Sequence, residues 1–308
     1  MQSRTASRPA YRGQMIRLLD EFDTPLPERF RRDADDEGYA APRKPDLDDP
    51  ELVCADLILP LPHADIRARV YRQGAEGARP LLLWLHGGGF VGGSLDDIDE
   101  TCRLLALKSG SVVVSLDYRL APAHPFPAAL DDTRAAIRWL HDFGGVLGGN
   151  GRLAAGGQSA GAALVAAASL QARDDGGPTV ERQILCYPWL DMTSGSESHR
   201  LFEGVFGTVA ELDDFLGLYL QGQPVTPLVT PLVADHLDGL PPALVLGAAM
   251  DVSRDDARSY AARLDESGVE VEYIEYADTV HAFLNFPGAL DAAQDAVDDI
   301  AAYLQTAF

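Results

Sequence analysis

The pentapeptide Gly-Gln-Ser-Ala-Gly at residues 157–161 constrains the fold of this chain more than any other feature. It joins residues 152–156, which have the pattern of a short buried strand, to the Ala-rich residues 162–173, which have the pattern of a helix. A serine on so sharp a turn must adopt a strained backbone, and only small neighbours leave room for it. We therefore predict that Ser159 Oγ projects above a sheet edge and that Ala160 N–H points to where an oxyanion would form.

Apolar segments alternate with amphipathic segments along most of the chain. The pattern predicts an edge hairpin at residues 52–59 and 66–72. A series of strands follows at residues 81–85, 112–116, 182–190, 243–248 and 269–276. Helical patterns occupy residues 96–109, 128–143 and about 289–306. Such an alternation is typical of an α/β fold with a mostly parallel central sheet and helices on both faces.

Two segments interrupt this alternation and set the predicted domain boundaries. Residues 1–50 are helical only near Gln14–Phe22 and are otherwise polar and rich in Pro and Asp, which predicts a surface segment. Residues 192–230 carry aromatic residues but no strand pattern, which predicts a helical insertion over the carboxyl edge of the sheet, where ligands bind in such folds. The core is then expected in two parts, 51–191 and 231–308.

A nucleophilic serine needs a base and a group that orients the base. In the hydrolase order the acid follows the nucleophile and the base comes last. Asp251 comes shortly after the predicted strand at 243–248, and His281 is the only histidine after Asp251. Asp255 and Asp256 compete with Asp251, but we expect them one turn into the next helix and pointing elsewhere.

A glycine-rich segment, His86-Gly-Gly-Gly-Phe90, directly follows the predicted strand at 81–85. Its bare N–H groups at Gly88 and Gly89, together with that of Ala160, could surround one oxyanion. The same segment also spells G-x-G-x-x-G through Gly92, with Asp117 ending the following strand, which is the pattern of a dinucleotide site. That alternative leaves the downstream serine, aspartate and histidine unexplained.

With these residues in place, the chain resembles the hormone-sensitive-lipase family of α/β-hydrolases, the bacterial family IV esterases. The resemblance covers roughly residues 50–308 and rests on 86–90 (HGGGF), 117–132, 157–161, 240–243 (LPPA), Asp251 with Arg254 and Asp255, and 281–283 (HAF). It implies an α/β-hydrolase fold whose helical cap is built from residues 1–50 and 192–230. It further implies that Ser159 is the nucleophile, His281 the base and Asp251 its orienter, with an oxyanion hole formed by Gly88, Gly89 and Ala160. It also suggests a possible homodimer through the strand near 269–276.

The chain departs from the family pattern next to the nucleophile and at four other places. Gln158 stands where the family usually has Asp, which removes a charge near the site. The other departures are Gly161-Ala162-Ala163, Val252, Ala282 and Ala123. None of them removes a group that the mechanism needs.

The expected function is that of a serine carboxylesterase for short- to medium-chain esters, without a cofactor or metal. Aromatic residues of the cap and the glycine segment are candidates to line the substrate pocket or simply to pack the cap onto the sheet: Phe90, Phe202, Phe206, Phe215 and Tyr219. An amide, a lactone or an acetylated small molecule as substrate of the same triad remains open. So does a binder without catalysis, although family relatives of that kind lack the histidine.

The charge balance excludes some partners. A net charge of −22 disfavours binding to nucleic acid or anionic membranes, and reflects either composition bias or adaptation to salt. Three widely spaced cysteines form no metal or redox motif. No segment has the apolar length of a signal peptide or a membrane span, so a cytoplasmic location is expected.

Overall fold

A nine-stranded sheet organises the protein, with strand order β1-β9-β8-β7-β6-β4-β5-β3-β2. The computed structural model describes residues 1–21, 47, 50–74, 77–193, 195–205 and 207–308. The strands are β1 (Gln2–Ala6), β2 (Leu52–Leu61), β3 (Ala64–Gln73), β4 (Arg79–Leu85), β5 (Val112–Leu116), β6 (Gly149–Gln158), β7 (Arg182–Cys186), β8 (Ala243–Ala248) and β9 (Val271–Tyr276). The pairs that β3 forms with β2 and β5 are antiparallel, and the other pairs are parallel. The predicted fold class is confirmed.

Helices cover both faces of the sheet. Within the described residues they are α1 (Pro9–Glu21), α2 (Asp99–Ser109), α3 (Ala128–Phe143), α4 (Ala160–Asp175), α5 (Glu197–Leu201), α6 (Val209–Leu220), α7 (Arg254–Glu266) and α8 (Asp291–Ala307). Side chains alternate across each strand, so Leu83 of β4 packs with the α3, α4 and α7 layer while Trp84 packs with the α1, α2 and α8 layer. Two apolar cores therefore fix the sheet between its helices, which holds the strand ends in place.

The N-terminal strand β1 was not anticipated from the sequence. It pairs in parallel with β9 along Gln2–Ala6, at the edge of the sheet, and four of its five residues are exposed. The other side of β9 pairs with β8. Both hydrogen-bonding sides of β9 are thus occupied within one chain, and a dimer that pairs β9 across two copies would first have to displace β1.

Most of the remaining predicted N-terminal segment lies outside the described residues, including 22–46. In the second interruption, residues 192–230, the structure has α5 and α6 and no strand among the residues it describes. Strand β7 ends at Cys186 rather than at residue 190, because the chain turns at Tyr187, whose φ is 35°.

Candidate active site

Ser159 occupies the turn between β6, which ends at Gln158, and α4, which begins at Ala160. Its φ of 54° and ψ of −118° lie in a region that a non-glycine residue enters at a cost of about 1–3 kcal/mol. The neighbouring strand holds the turn, because Ser159 N–H donates to the carbonyl of Cys186 at 2.9 Å. The strained turn expected from the pentapeptide is present.

Gly161 lies where α4 passes closest to the end of β4. A Cβ at this position would lie 2.4 Å from the carbonyl oxygens of both Leu85 and His86. Backbone atoms in a central strand cannot move aside cheaply, so a side chain here would push the helix off the sheet. The glycine therefore sets the close spacing between the Ser159 turn and the glycine segment after β4.

Loops from three strand ends bring Ser159, His281 and Asp251 together. His281 Nε2 lies 2.8 Å from Ser159 Oγ, and His281 Nδ1 lies 2.8 Å from Asp251 Oδ2. The carboxylate of Asp251 is fully buried, and its second oxygen accepts a hydrogen bond from Ser253 N–H at 2.9 Å. A carboxylate on Nδ1 fixes the N–H there, so that the lone pair of Nε2 faces the serine hydroxyl. This arrangement can accept the hydroxyl proton as the oxygen attacks.

The glycine segment lies beside the serine. The Cβ position of Gly87 is 3.3 Å from Ser159 Cβ, and the segment turns tightly because Gly88 O accepts from the N–H groups of Val91 at 3.1 Å and Gly92 at 2.9 Å. Gly88 has a φ of 118°, and a Cβ there would lie 2.2 Å from Gly92 O. Only glycine fits such a turn.

The N–H groups of Gly88 and Gly89 are available as donors, since within the described part of the chain no backbone carbonyl accepts from them. Ala160 N–H is at the first turn of α4, where helix N–H groups lack partners in the helix. The alternative of a dinucleotide site is not supported by the geometry: α2 begins at Asp99, well beyond Gly92, so no helix opens on the glycines.

His86 supports the glycine segment and does not contact the serine–histidine pair. Its ring stacks on Tyr118 with centroids 4.2 Å apart, and its Nδ1 lies 2.7 Å from Gly87 O. Tyr118 in turn donates its hydroxyl to His86 O at 2.9 Å. Burial lowers the pKa of His86, so the ring is neutral near pH 7 and Nδ1–H donates to the carbonyl.

Tyr187 is a neighbour of the site that the sequence analysis missed. Its ring packs edge-on against His281 with centroids 5.1 Å apart, and its hydroxyl donates to Gln158 Oε1 at 3.0 Å. Burial raises the pKa of Tyr187 well above its ordinary value, helped by the nearby Cys186 and Asp251 and opposed by a hydrogen bond from the backbone of Leu284. The position directly after β7 is the signal that could have identified it, because strand ends on this edge surround the serine.

A cavity of about 560 Å³ opens over Ser159. Its walls carry apolar side chains from the sheet edge and from α6 of the insertion, among them Trp189, Leu212 and Phe215. Ser253 and Gln158 are among its lining residues close to the serine. Its volume lies in the range of about 300–1,000 Å³ that small-molecule sites occupy.

Some of the aromatic candidates for the pocket line the cavity, and others are buried away from it. Phe215 lines the cavity, but Phe90 and Tyr219 do not: they stack on each other at 4.0 Å between centroids and are buried beneath its wall. Phe202 is also buried away from the cavity, with the Arg254 guanidinium 4.9 Å from its ring centroid. Phe206 lies outside the described residues. For Phe90, Phe202 and Tyr219 the packing role is the one that the structure has.

The two competing carboxylates have other partners. Asp255 accepts from the backbone N–H of Ser198 at 2.8 Å, and Asp256 accepts from those of Leu190 at 2.9 Å and Asp191 at 2.8 Å. Neither faces His281. Across the described ranges there is no group of three or more His, Cys, Asp or Glu that could hold a metal ion, and no helix long and apolar enough to cross a bilayer.

The chain is similar in sequence and structure to known proteins. Residues 82–285 match the model of a family described as having the alpha/beta hydrolase fold. The carboxylic ester hydrolase LipN of Mycobacterium tuberculosis is 42% identical over 243 residues, which is 75% of this chain and 64% of that protein. The esterase LipI of the same organism is 36% identical, covering 94% of this chain and 93% of that protein. The hyperthermophilic esterase of the archaeon Pyrobaculum calidifontis is similar in structure, with a TM-score of 0.80, 39% identity, and coverage of 84% of this chain and 87% of that one.

Proposed function

The chain belongs to the α/β-hydrolase family, among its hormone-sensitive-lipase-like esterases, and from that membership we propose that it is a serine carboxylesterase acting on short- to medium-chain esters. The observation that carries the proposal is the pair of 2.8 Å contacts that join Ser159 Oγ to His281 and His281 to Asp251. A serine hydroxyl is a weak nucleophile near neutral pH, and a base placed at this distance activates it.

The reaction follows from the positions of these groups. His281 Nε2 takes the proton of Ser159 as its oxygen attacks the ester carbonyl, and the resulting oxyanion sits among the N–H groups of Gly88, Gly89 and Ala160. His281 returns the proton to the leaving alcohol, which breaks the ester bond and leaves Ser159 acylated. His281 then takes a proton from water as the water attacks the acyl carbon, and it returns that proton to Ser159 Oγ as the bond to the acyl group breaks and the acid leaves. Asp251 orients the imidazole and stabilises it when it is protonated.

The cavity and the insertion support the chain-length part of the proposal. A space of about 560 Å³ accommodates a small ester, and Phe215 and Leu212 of α6 close its upper wall. In this account residues 192–230 act as a cap over a core made of 51–191 and 231–308, and β1 and α1 of the N-terminal segment belong with that core and not with the cap. The cap shortens the acyl pocket, so esters of long fatty acids should be poor substrates.

A series of p-nitrophenyl esters from acetate to palmitate tests the proposal. We expect the highest kcat/KM for acyl chains of short to medium length and little turnover of the longest. Equal or better turnover of the longest esters would refute the chain-length proposal. An enzyme that leaves all esters intact but hydrolyses amides or lactones would instead identify the alternative substrate class for the same triad.

A further inference from the structure

The loop that carries Asp251, residues 249–253 between β8 and α7, is called the acid loop here, and it is bound to the insertion. Ser198, in α5 of the insertion, is fully buried, and its hydroxyl donates to the carbonyl of Val252 at 2.7 Å. Val252 directly follows Asp251. The insertion therefore reaches the backbone immediately next to the carboxylate that orients His281.

A second contact makes this attachment reciprocal. The backbone N–H of Ser198 donates to Asp255 Oδ2 at 2.8 Å, and Asp255 N–H donates back to Ser198 Oγ at 3.2 Å. Ser198 thus holds both Val252, in the acid loop, and Asp255, in the first turn of α7. Three hydrogen bonds from one residue, to Val252 and to Asp255, fix the direction of this part of the chain as well as its distance.

The segment before α5 is attached to the same turn. Asp256 is 1% exposed, and its Oδ2 accepts from the backbone N–H groups of Leu190 and Asp191. On the opposite side, Met250 N–H donates to the carbonyl of Thr279, two residues before His281. The acid loop is held between the insertion on one side and the histidine loop on the other.

We propose that Ser198 is a positioning residue, whose hydroxyl fixes the backbone beside Asp251 and thereby keeps the Asp251 carboxylate aligned on His281 Nδ1. The inference rests on the proposed function, and it gives the insertion a role in catalysis besides closing the substrate cavity. Reactions of this type lose rate steeply when a catalytic group moves by about 1 Å, because the reacting geometry must be met closely. Ser198 touches neither substrate nor reacting atoms, so its effect passes through Asp251.

The first test replaces the hydroxyl. Ser198→Ala should lower kcat for p-nitrophenyl butyrate roughly ten- to hundredfold while KM stays within about twofold, since the substrate cavity is unchanged. Ser198→Cys, which keeps the volume of the side chain with a much weaker donor, should also lower kcat and guards against a failure of the Ala variant to fold. If kcat stays within about twofold of wild type in both variants, the proposal is overturned.

Ser196→Ala is the matched control. Ser196 is the N-cap of the same helix, and its hydroxyl contacts Ser198 and His199 but not the acid loop. Its loss should lower the melting temperature, because an N-cap contributes about 0.5–2 kcal/mol, while kcat stays near that of wild type. An equal loss of kcat in Ser196→Ala and Ser198→Ala would mean that helix stability alone is responsible, and would also overturn the proposal.

A measurement without substrate separates this inference from the proposed function. The proton between Asp251 and His281 Nδ1 should give a downfield ¹H NMR resonance in wild type and in Ser196→Ala. Ser198→Ala should broaden it or move it upfield, because the hydrogen bond loses its alignment. An unchanged resonance in Ser198→Ala contradicts the positioning role, whether or not the wild-type protein hydrolyses the ester.

Discussion

The hydroxyl of Tyr187 offers a sharp test of how the nucleophile turn is held. Tyr187 and Gln158 are each 1% exposed, and their 3.0 Å hydrogen bond connects the residue before the nucleophile to the residue after β7. In Tyr187→Phe, Gln158 Oε1 loses its partner while Nε2 already has none among the described residues. A buried polar group left unpaired costs about 1–3 kcal/mol, so the free energy of unfolding should fall by about that amount.

Tyr260→Phe is the matched control for this prediction. The Tyr260 hydroxyl is equally buried, but it has no hydrogen-bond partner in the part of the chain that the structure describes. Removing it therefore breaks no hydrogen bond, and it eliminates a buried hydroxyl whose loss of hydration is not compensated by a partner. The free energy of unfolding of Tyr260→Phe should stay within about 0.5 kcal/mol of wild type or rise.

The double variant Tyr187→Phe/Gln158→Met, compared with the two single variants and wild type, makes a double-mutant cycle. Replacing both partners by apolar groups of similar size leaves no orphaned side-chain amide at residue 158, so the double variant should lose less stability than the two single variants together, with a coupling of about 0.5–3 kcal/mol. Urea denaturation followed by tryptophan fluorescence measures wild type, Tyr187→Phe, Gln158→Met, the double variant and the control Tyr260→Phe. Equal losses in Tyr187→Phe and Tyr260→Phe, or strictly additive single variants, would refute the reasoning.

Three further predictions concern other parts of the site. Gly161→Ala should destabilise the protein by more than about 2 kcal/mol in urea denaturation and lower kcat, because its Cβ meets two backbone carbonyls at 2.4 Å; an unaffected variant would contradict this. Phe215→Ala should move the preferred p-nitrophenyl ester to longer acyl chains, and an unchanged chain-length profile would show that α6 does not bound the pocket. Burial lowers the pKa of His199 below its ordinary 6.5. Below about pH 6.5 the histidine is therefore protonated more readily in the unfolded chain than in the folded one, and the free energy of unfolding should fall as the pH drops. His199→Gln should reduce the difference between urea midpoints at about pH 7.5 and about pH 5.5, and the same difference as wild type would exclude this contribution.

The residues at strand ends could be predicted from the sequence because chain order and sheet topology determine them. Ser159, Asp251 and His281 each follow a strand in the parallel part of one sheet, and the carboxyl ends of parallel strands meet at one edge. Their 2.8 Å contacts depend on side-chain placement that only the structure supplies. Their roles in catalysis stay predictions until activity is measured.

Two features could not be predicted because their signal is not local. Strand β1 is a short polar segment that becomes a strand only because β9 offers a free edge to pair with. The aromatic residues near the cavity have the same composition whether they line it or support it. Phe215 lines the cavity while Phe90 and Tyr219 stack beneath it, and only the path of α6 across the sheet decides which is which.

Hydrolysis of p-nitrophenyl butyrate by wild type, Ser159→Ala and Ser253→Ala tests the central claim most directly. Ser253 lines the same cavity, and its backbone N–H, which alanine retains, donates to Asp251, while its hydroxyl lies 3.4 Å from His281 Nδ1, a longer contact than the 2.8 Å one made by Asp251. We expect Ser159→Ala to lose roughly 10⁴-fold or more in kcat, whereas Ser253→Ala should stay within about tenfold of wild type. Equal turnover by wild type and Ser159→Ala would show that Ser159 is not the nucleophile.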